Sequence, residues 1–297
     1  MRTASALFRF VATMVAVGVT LGGCGQYPSS SAPDADSSGA PLTANQLGSV
    51  PAVGAGGAVA AGSPAKTRIG PDVDPAGLPA GSVYRNPANG RDEVILNGTS
   101  NTAVLIGDSQ SEPSYGWPRQ GLAAAGYKVF FCGRGGTGFV ASNGTTGNFI
   151  DALQRGDWKL PYGTPPLVVI EGGGNDAGRG ASDAQIVANA DRLIASIQQR
   201  YPAARLLMVG TLARGAQYGG GRRTEVDALL GRIANRHGLT FVSAGDWLTR
   251  YDLTGSMADG VHLNKQGHAA LGVIFGQRLE WLELTYRANG TASHPSR

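Results

Sequence analysis

The chain has 297 residues and carries 25 Lys and Arg against 21 Asp and Glu, a formal net charge of +4. Two of these positive charges, Arg2 and Arg9, precede the first apolar run, and without them the charge is only +2, which gives no basis for a nucleic-acid partner. The chain has 2 cysteines, Cys24 and Cys132, so a framework of several disulfides is excluded.

The first 23 residues have the pattern of an export signal. An apolar run over residues 10–21 follows the two arginines and is too short for a comfortable membrane span. The run ends in Leu21-Gly22-Gly23-Cys24, which resembles the lipobox of bacterial lipoproteins. This resemblance implies that residues 1–23 are a lipoprotein signal peptide and that Cys24 is lipidated, anchoring the protein in the cell envelope at the outer face of the bacterial cell membrane. An ordinary secretory signal with a chance cysteine is the alternative.

Three further segments differ in composition from a folded domain. Residues 24–80 are rich in Ser, Pro, Gly and Ala with almost no large apolar side chains, which predicts a disordered tether. Residues 81–100 place short apolar runs around the turn-like Asn86-Pro87-Ala88-Asn89-Gly90, which predicts a hairpin-like appendage. Residues 288–297 are predicted to be a polar tail.

Between residues 101 and 287, short apolar runs alternate with helical periodicity, the pattern of repeated βα units around a parallel sheet. Five strands are predicted, at Ala103–Gly107, Lys128–Cys132, Leu167–Glu171, Arg205–Gly210 and Thr240–Ser243. One predicted helix begins with the capping box Ser182-Asp183-Ala184-Gln185, a second ends near Gly238, and the last begins after Asn264. These elements predict a single α/β domain.

Three short motifs follow predicted strands or precede the last helix. They are Gly107-Asp108-Ser109, Gly173-Gly174-Asn175-Asp176 and Asp259-Gly260-Val261-His262. Loops at the carboxyl ends of parallel strands gather at one edge of the sheet, so residues far apart in sequence can meet there. Together the motifs supply a nucleophile, a donor for an oxyanion, and a base with an orienting carboxylate.

Only one of the 4 histidines is suited to accept the proton of Ser109. His294 lies in the polar tail, His237 is placed at a helix end, and His268 falls inside the last helix as a structural residue. His262 alone has a carboxylate three residues earlier in a Gly-containing loop. Such a turn can bring Asp259 onto Nδ1 and leave Nε2 facing Ser109.

Asn175 is the candidate side-chain donor to an oxyanion, because its amide is uncharged and lies on a glycine-rich turn. The backbone N–H of Ser109, expected at a helix N-terminus, is a second donor. Asp108 and Asp176 are interpreted as supports that hydrogen-bond to loop backbone.

Two competing hypotheses come from the second predicted strand and the loop after it. Gly133-Arg134-Gly135-Gly136-Thr137-Gly138 spells G-x-G-x-x-G, but it runs into a breaker-rich loop where a dinucleotide-binding motif should open a helix. Cys132 could be a catalytic thiol, but burial at a strand end is favoured.

Tyr115, Trp117 and Phe139 could stack on a sugar or pack within the loops.

The three motifs resemble those of the SGNH hydrolases, also called GDSL esterases and lipases, over about residues 101–286. This resemblance implies a flavodoxin-like three-layer α/β/α sandwich with a five-stranded parallel sheet, and it implies no metal and no cofactor. The implied site has Ser109 as nucleophile, His262 as base and Asp259 as its orienter, with oxyanion donors from Ser109 N–H, Gly138 N–H and Asn175. Gly135 is the fallback for Gly138. The chain departs from the pattern at Gly133, where the family often has asparagine.

The resemblance implies a serine esterase or deacylase acting on an acylated glycan or lipid through an acyl-Ser109 intermediate. An acyltransferase that moves an acyl group onto an envelope polysaccharide would use the same residues, and a non-catalytic binding lipoprotein is a third hypothesis. The protein is expected to be a monomer whose partners are its ester substrate and, through Cys24, the membrane.

Overall fold

A computed structural model describes residues 68–69 and 73–287. The predicted signal peptide, Cys24 and the polar tail lie outside these residues. So does the predicted tether, apart from residues 68–69 and 73–80. Within those residues the chain forms a two-residue strand and a 3-10 helix at Pro75–Gly77, whose first turn is capped by Asp74. Order therefore begins before residue 81.

The described residues form eight strands in two sheets. They are β1 Arg68–Ile69, β2 Val83–Asn86, β3 Arg91–Val94, β4 Thr102–Gly107, β5 Lys128–Gly133, β6 Leu167–Glu171, β7 Arg205–Val209 and β8 Thr240–Val242. The larger sheet has 5 strands in the order β5-β4-β6-β7-β8. All of its pairs are parallel, which is the order and direction of a flavodoxin-like sheet. The predicted fold class is confirmed, and each predicted strand is present to within one residue at either end.

Within residues 73–287, seven α-helices surround this sheet. They are α1 Trp117–Ala124, α2 Phe149–Arg155, α3 Gly174–Gly178, α4 Asp183–Arg200, α5 Gly221–Arg236, α6 Trp247–Arg250 and α7 Lys265–Trp281. Helices α2, α4 and α5 pack on one face, and α1, α6 and α7 pack on the other. Among the helices of the described chain, none combines the length and apolar composition of a membrane-spanning segment.

Alternation along β4 explains why two cores form. Val104 and Ile106 belong to one apolar cluster, whereas Ala103 and Leu105 belong to the other, and all four are fully buried. Successive side chains of a strand point to opposite faces, so an uninterrupted apolar run predicts a strand covered on both sides. The sheet is therefore the middle layer of a three-layer sandwich.

The helix termini follow their capping residues. Ser182 and Gln185 form the capping box that starts α4, and Asn264 accepts the N–H of Gly267 at 2.9 Å at the start of α7. Helix α7 lies close against α1, where a Cβ on Gly121 would be 2.5 Å from the Phe275 ring. Glycine at this position lets the two helices approach each other.

The smaller sheet, β1-β2-β3, lies next to the amino-terminal ends of the strands of the five-stranded sheet. Strands β2 and β3 pair antiparallel, and Val94 bonds to the segment before β6 through its N–H to Leu160 and its carbonyl to the N–H of Tyr162. Glu93, 1% exposed, forms a two-contact ion pair with Arg200 at the end of α4. The appendage therefore lies at the edge of the sheet opposite the carboxyl-terminal loops.

Candidate active site

Ser109 and His262 meet at the carboxyl-terminal edge of the sheet. Ser109 lies two residues after the end of β4, and His262 lies in the loop before α7. The Nε2 atom of His262 is 2.9 Å from Ser109 Oγ, and its Nδ1 atom is 2.9 Å from Oδ2 of Asp259. A carboxylate that accepts Nδ1–H leaves Nε2 to accept the serine proton. The structure thus brings the three predicted side chains into one hydrogen-bonded chain.

The loop that carries His262 is organised by Asp259. Its Oδ1 atom accepts the backbone N–H groups of Val261 and His262, both at 2.6 Å. The hydrogen bond from the His262 ring, followed by these two backbone bonds, lowers the pKa of Asp259 to about 2. Asp259 is therefore ionised over the whole pH range in which a histidine side chain titrates. Gln110 adds a tie between the loops by donating Nε2–H to the carbonyl of Val261 at 3.0 Å.

Two buried carboxyl groups lie beneath the nucleophile. Asp108 accepts the N–H of Gln110 at 2.9 Å, and Glu171 accepts the hydroxyl of Ser111 at 2.6 Å. Burial raises the pKa of Asp108 to about 6, and burial together with the neighbouring Asp108 raises the pKa of Glu171 well above its usual value. Burial therefore favours the neutral form of Glu171 over its charged form. Both groups support the loop after β4, as expected for Asp108.

Asp176 fixes the loop after β5. It is fully buried, and its carboxylate accepts three consecutive backbone N–H groups, from Phe139 at 2.9 Å, Val140 at 2.7 Å and Ala141 at 2.8 Å. The supporting role predicted for Asp176 corresponds to this geometry.

The expected oxyanion donors differ in their availability. The amide of Asn175 donates to the Thr137 carbonyl at 2.9 Å and to Oδ2 of Asp108 at 3.2 Å. The N–H of Gly138 donates to the carbonyl of Ala141 at 2.9 Å, so it is engaged within its own loop. The N–H of Ser109 has no acceptor among the described residues. Ser109 lies in a single turn that ends at Glu112, not at the helix N-terminus expected from sequence, because α1 begins only at Trp117.

The structure places Gly135, the fallback position, against the nucleophile. A Cβ on Gly135 would lie 3.4 Å from Cβ of Ser109, whereas one on Gly138 would lie 2.5 Å from Oδ2 of Asp176. The N–H of Gly135 donates to Oε2 of Glu112 at 2.7 Å, and Oε1 of Glu112 is 3.2 Å from Arg134. Glu112 is not predictable as a site residue, because no motif or spacing in the sequence distinguishes it from other surface carboxylates.

The absence of asparagine at position 133 has a steric reason. Gly133 has a φ of +154°, and a Cβ there would lie 2.0 Å from the carbonyl oxygen of Gly107. Any side chain would therefore require a different backbone. The loop then continues without a helix until α2 begins at Phe149, so this G-x-G-x-x-G does not present a helix N-terminus to a pyrophosphate.

The other histidines and the cysteine of the described residues have contacts that fit a structural role. Buried His268 accepts the N–H of Trp117 on Nδ1 at 3.2 Å, and burial lowers its pKa. His237 lies 2.7 Å from a carboxylate oxygen of Asp191. Cys132 is fully buried, and burial raises the pKa of its thiol. His294 lies outside the described residues.

Of the three aromatic residues considered for sugar stacking, two are core. Trp117 is 0% and Phe139 is 1% exposed, whereas Tyr115 is 44% exposed and packs edge-on against His268.

Within residues 73–287, no group of three or more His, Cys, Asp or Glu side chains is arranged to hold a metal ion.

Comparison with known proteins agrees with this architecture. A family-two carbohydrate esterase with a carbohydrate-binding domain, from Corynascus thermopiles (Myceliophthora fergusii), is 19% identical, with a TM-score of 0.50 over 66% of this chain and 70% of that one. A family-two carbohydrate esterase from Clostridium thermocellum is 14% identical, with a TM-score of 0.49 over 66% of this chain and 68% of that one. A lipolytic G-D-S-L protein from Veillonella parvula is 16% identical, with a TM-score of 0.46 over 60% of this chain and 97% of that one.

At 19% identity and a TM-score of 0.50, the likeness to the Corynascus thermopiles enzyme shows the fold alone. No curated protein matches the sequence significantly. The sequence itself matches the profile of a hydrolase family over residues 98–270, more than half of the chain and all three motifs. The chain therefore belongs to the GDSL-like lipase/acylhydrolase family and is an SGNH-type hydrolase.

Proposed function

We propose that the protein is a serine carboxylic ester hydrolase of the cell envelope that acts on an acylated glycan or lipid. The observation that supports this most is the hydrogen-bonded chain from Ser109 Oγ through both ring nitrogens of His262 to Asp259. This arrangement activates a hydroxyl that is otherwise a weak nucleophile at neutral pH.

In the proposed reaction, His262 accepts the proton of Ser109 as Oγ bonds to the ester carbonyl carbon. The tetrahedral intermediate collapses by breaking the bond to the alcohol, which leaves with the proton from His262. Water then attacks the acyl-Ser109 carbonyl, again giving its proton to His262, and the carboxylic acid is released with Oγ protonated once more.

The developing oxyanion would be stabilised by the Ser109 N–H and by the Asn175 side-chain amide. The amide now donates to Asp108 and to the Thr137 carbonyl, so it must release one of these acceptors to bind the oxyanion. Gly138 would contribute only if its N–H exchanged the Ala141 carbonyl for the oxyanion. Gly135 lies closer to Ser109, but its N–H is held by Glu112. All the donors of the oxyanion hole are therefore expected to become available only when substrate binds.

The test of this function is labelling by a fluorophosphonate together with hydrolysis of a small aryl acetate. Ser109→Ala should abolish both, because the nucleophile is removed. Ser114→Ala is the matched control, since Ser114 is exposed and lies five residues away in the same segment. Full activity of Ser109→Ala would contradict the proposal, and an unlabelled but folded native protein would favour a binding lipoprotein.

An acyltransferase would share the first half of this reaction. The two differ in what attacks acyl-Ser109, water or a hydroxyl of a polysaccharide. Adding an acceptor sugar should leave the yield of free acid unchanged for a hydrolase and should divert the acyl group to the sugar for a transferase.

We further propose that the protein is lipid-anchored through Cys24 at the outer face of the cell membrane. The support is the arginine-led apolar run that closes on Leu21-Gly22-Gly23-Cys24. Cys24→Ser should move the protein from the membrane fraction to the soluble or secreted fraction, whereas Cys132→Ser should not. Retention of Cys24→Ser in the membrane fraction would contradict this anchoring.

A further inference from the structure

A cavity of about 240 Å³ adjoins the candidate active site on the side of α5. Gly260 and Val261, the two residues before His262, form part of its wall. Arg214, from the loop after β7, and Arg223, from the first turn of α5, also line it. A group bound in this cavity would therefore lie beside an ester held by Ser109 and His262.

Arg223 also reaches the loop that carries Asn175. A Cβ built on Gly174 would lie 2.7 Å from Nη1 of Arg223, so the guanidinium lies against the residue that precedes Asn175. The loop that carries His262 thus forms part of the cavity wall, and Arg223 connects the cavity to the loop that carries Asn175.

The two arginines of this cavity have no hydrogen-bonded or ion-paired side chain as a partner within the described chain, although the charge of Arg223 also favours the ionised form of buried Asp108. Arg214 and Arg223 make no side-chain hydrogen bond or ion pair there, whereas neighbouring Arg222 bonds to Asp183 at 2.6 Å. No Asp or Glu lines the cavity. Asp252 lines the adjoining cavity that Arg214 also borders, but the two side chains form no ion pair. Two unpaired guanidinium groups in one concave site favour an anion, since each can donate a pair of parallel hydrogen bonds to a carboxylate.

We propose that this cavity binds a carboxylate carried by the substrate, and that the enzyme prefers anionic over neutral esters. This assignment depends on the proposed ester hydrolysis. The carboxylate could belong to the acyl group, as in a dicarboxylic half-ester, or to the alcohol, as in an acylated uronic acid.

Two pairs of esters, followed by titration of released acid, separate these sources. Monoethyl succinate against ethyl pentanoate places the charge on the acyl side. Acetoxybenzoate against its methyl ester places it on the alcohol side. For each pair, the ratio of anionic to neutral kcat/KM is compared with the same ratio of uncatalysed hydrolysis rates. In one of the two pairs we expect the enzymatic ratio to exceed the uncatalysed ratio about tenfold. This preference should fall in about 0.5 M NaCl, which screens partly exposed charges.

Substitution of either arginine should reduce the charge preference. Arg223→Gln and Arg214→Gln should each lower the ratio of anionic to neutral kcat/KM about five- to tenfold, whereas Arg223→Lys should retain part of it. Arg192→Gln is the matched control, because Arg192 is an exposed arginine on α4 that pairs with Asp151 away from the cavity. Its ratio should equal that of the native protein.

The outcomes separate this assignment from the proposed function. A protein that is labelled at Ser109 and hydrolyses neutral esters, but shows no anionic preference in either pair, would overturn the anion site alone. A preference that survives in both Arg214→Gln and Arg223→Gln would also overturn it. Failure to label Ser109 or to hydrolyse any ester would count against the hydrolase itself.

Discussion

Asp259 supports His262 from an exposed position, with 56% of its side chain accessible to solvent. Water screens a charge at such a position, so its electrostatic effect on the imidazolium is weaker than that of a buried carboxylate. Its hydrogen bonds to the Val261 and His262 N–H groups nevertheless fix the shape of the loop. Its main contribution is therefore expected to be orientation of the ring.

Asp259→Asn should lower kcat for an aryl acetate by about 10²-fold, less than the roughly 10⁴-fold known for a buried triad carboxylate. The reason is that the asparagine amide can present a donor to Nδ1 and so favour the wrong tautomer. KM should change little, because Asp259 does not hold the ester. Asp252→Asn, another exposed carboxylate in a loop, is the control. Unchanged turnover in Asp259→Asn would remove it from the reaction.

The residues of the candidate site differ in how far sequence alone could locate them. Asp259 and His262 were predictable as a pair because a turn of four residues brings them together locally. Ser109 and Asn175 were predictable because each lies within four residues of the carboxyl end of a strand in a parallel sheet. The contact between Gly135 and Glu112 beside Ser109 was not predictable from sequence. It depends on the three-dimensional path of the loop after β5, which has no regular period.

At the level of elements, α3 holds the loop after β5 in place through Asp176. Asp176→Ala would leave three backbone N–H groups, at residues 139–141, without an acceptor, and those of Phe139 and Ala141 are buried. We expect a loss of about 3 kcal/mol or more in the free energy of unfolding, since each unsatisfied buried donor costs roughly 1–3 kcal/mol. Denaturant unfolding measures this value.

Asp183→Ala is a suitable comparison for Asp176→Ala because the Asp183 side chain is half exposed and pairs with Arg222 at the surface. Surface ion pairs contribute about 0–1 kcal/mol, so its effect should be small. Equal losses in the two variants would show that the Asp176 bonds do not stabilise the loop.

The long helices were predictable and the short ones were not. In α4 and α7, capping residues and apolar residues every three or four positions mark the start and the buried face. Helices α3 and α6 have only 5 and 4 residues, too few to show a period. Their positions depend on tertiary contacts, such as the bonds of Asp176.

Across the whole molecule, stability should depend on a further buried carboxyl group, that of Asp227. Asp227 on α5 is 5% exposed and accepts the hydroxyl of Ser243 at 2.6 Å and the N–H of Ala244 at 3.1 Å. Burial outweighs these bonds and raises its pKa to about 6. A raised carboxyl pKa contributes stability that is present below the unfolded value, near 4, and is lost as pH rises through about 6.

Native protein should therefore lose stability relative to Asp227→Asn between about pH 4 and 7, by up to about 3 kcal/mol, because asparagine cannot ionise. Free energies of unfolding for both proteins at several pH values in this range measure the difference. Asp252→Asn should follow the native protein throughout. A difference between native protein and Asp227→Asn that stays constant with pH would contradict the raised pKa.

The attachment of the β2–β3 hairpin has a consequence for what the enzyme can reach. The polypeptide enters the domain beside the amino-terminal ends of β4, β5 and β6, while Ser109 lies beyond their carboxyl-terminal ends. Strands of five or six residues separate these two edges by about 17–20 Å. A flexible N-terminal tether would therefore join the domain at the edge opposite Ser109, and it would leave the approach of a substrate to the nucleophile open.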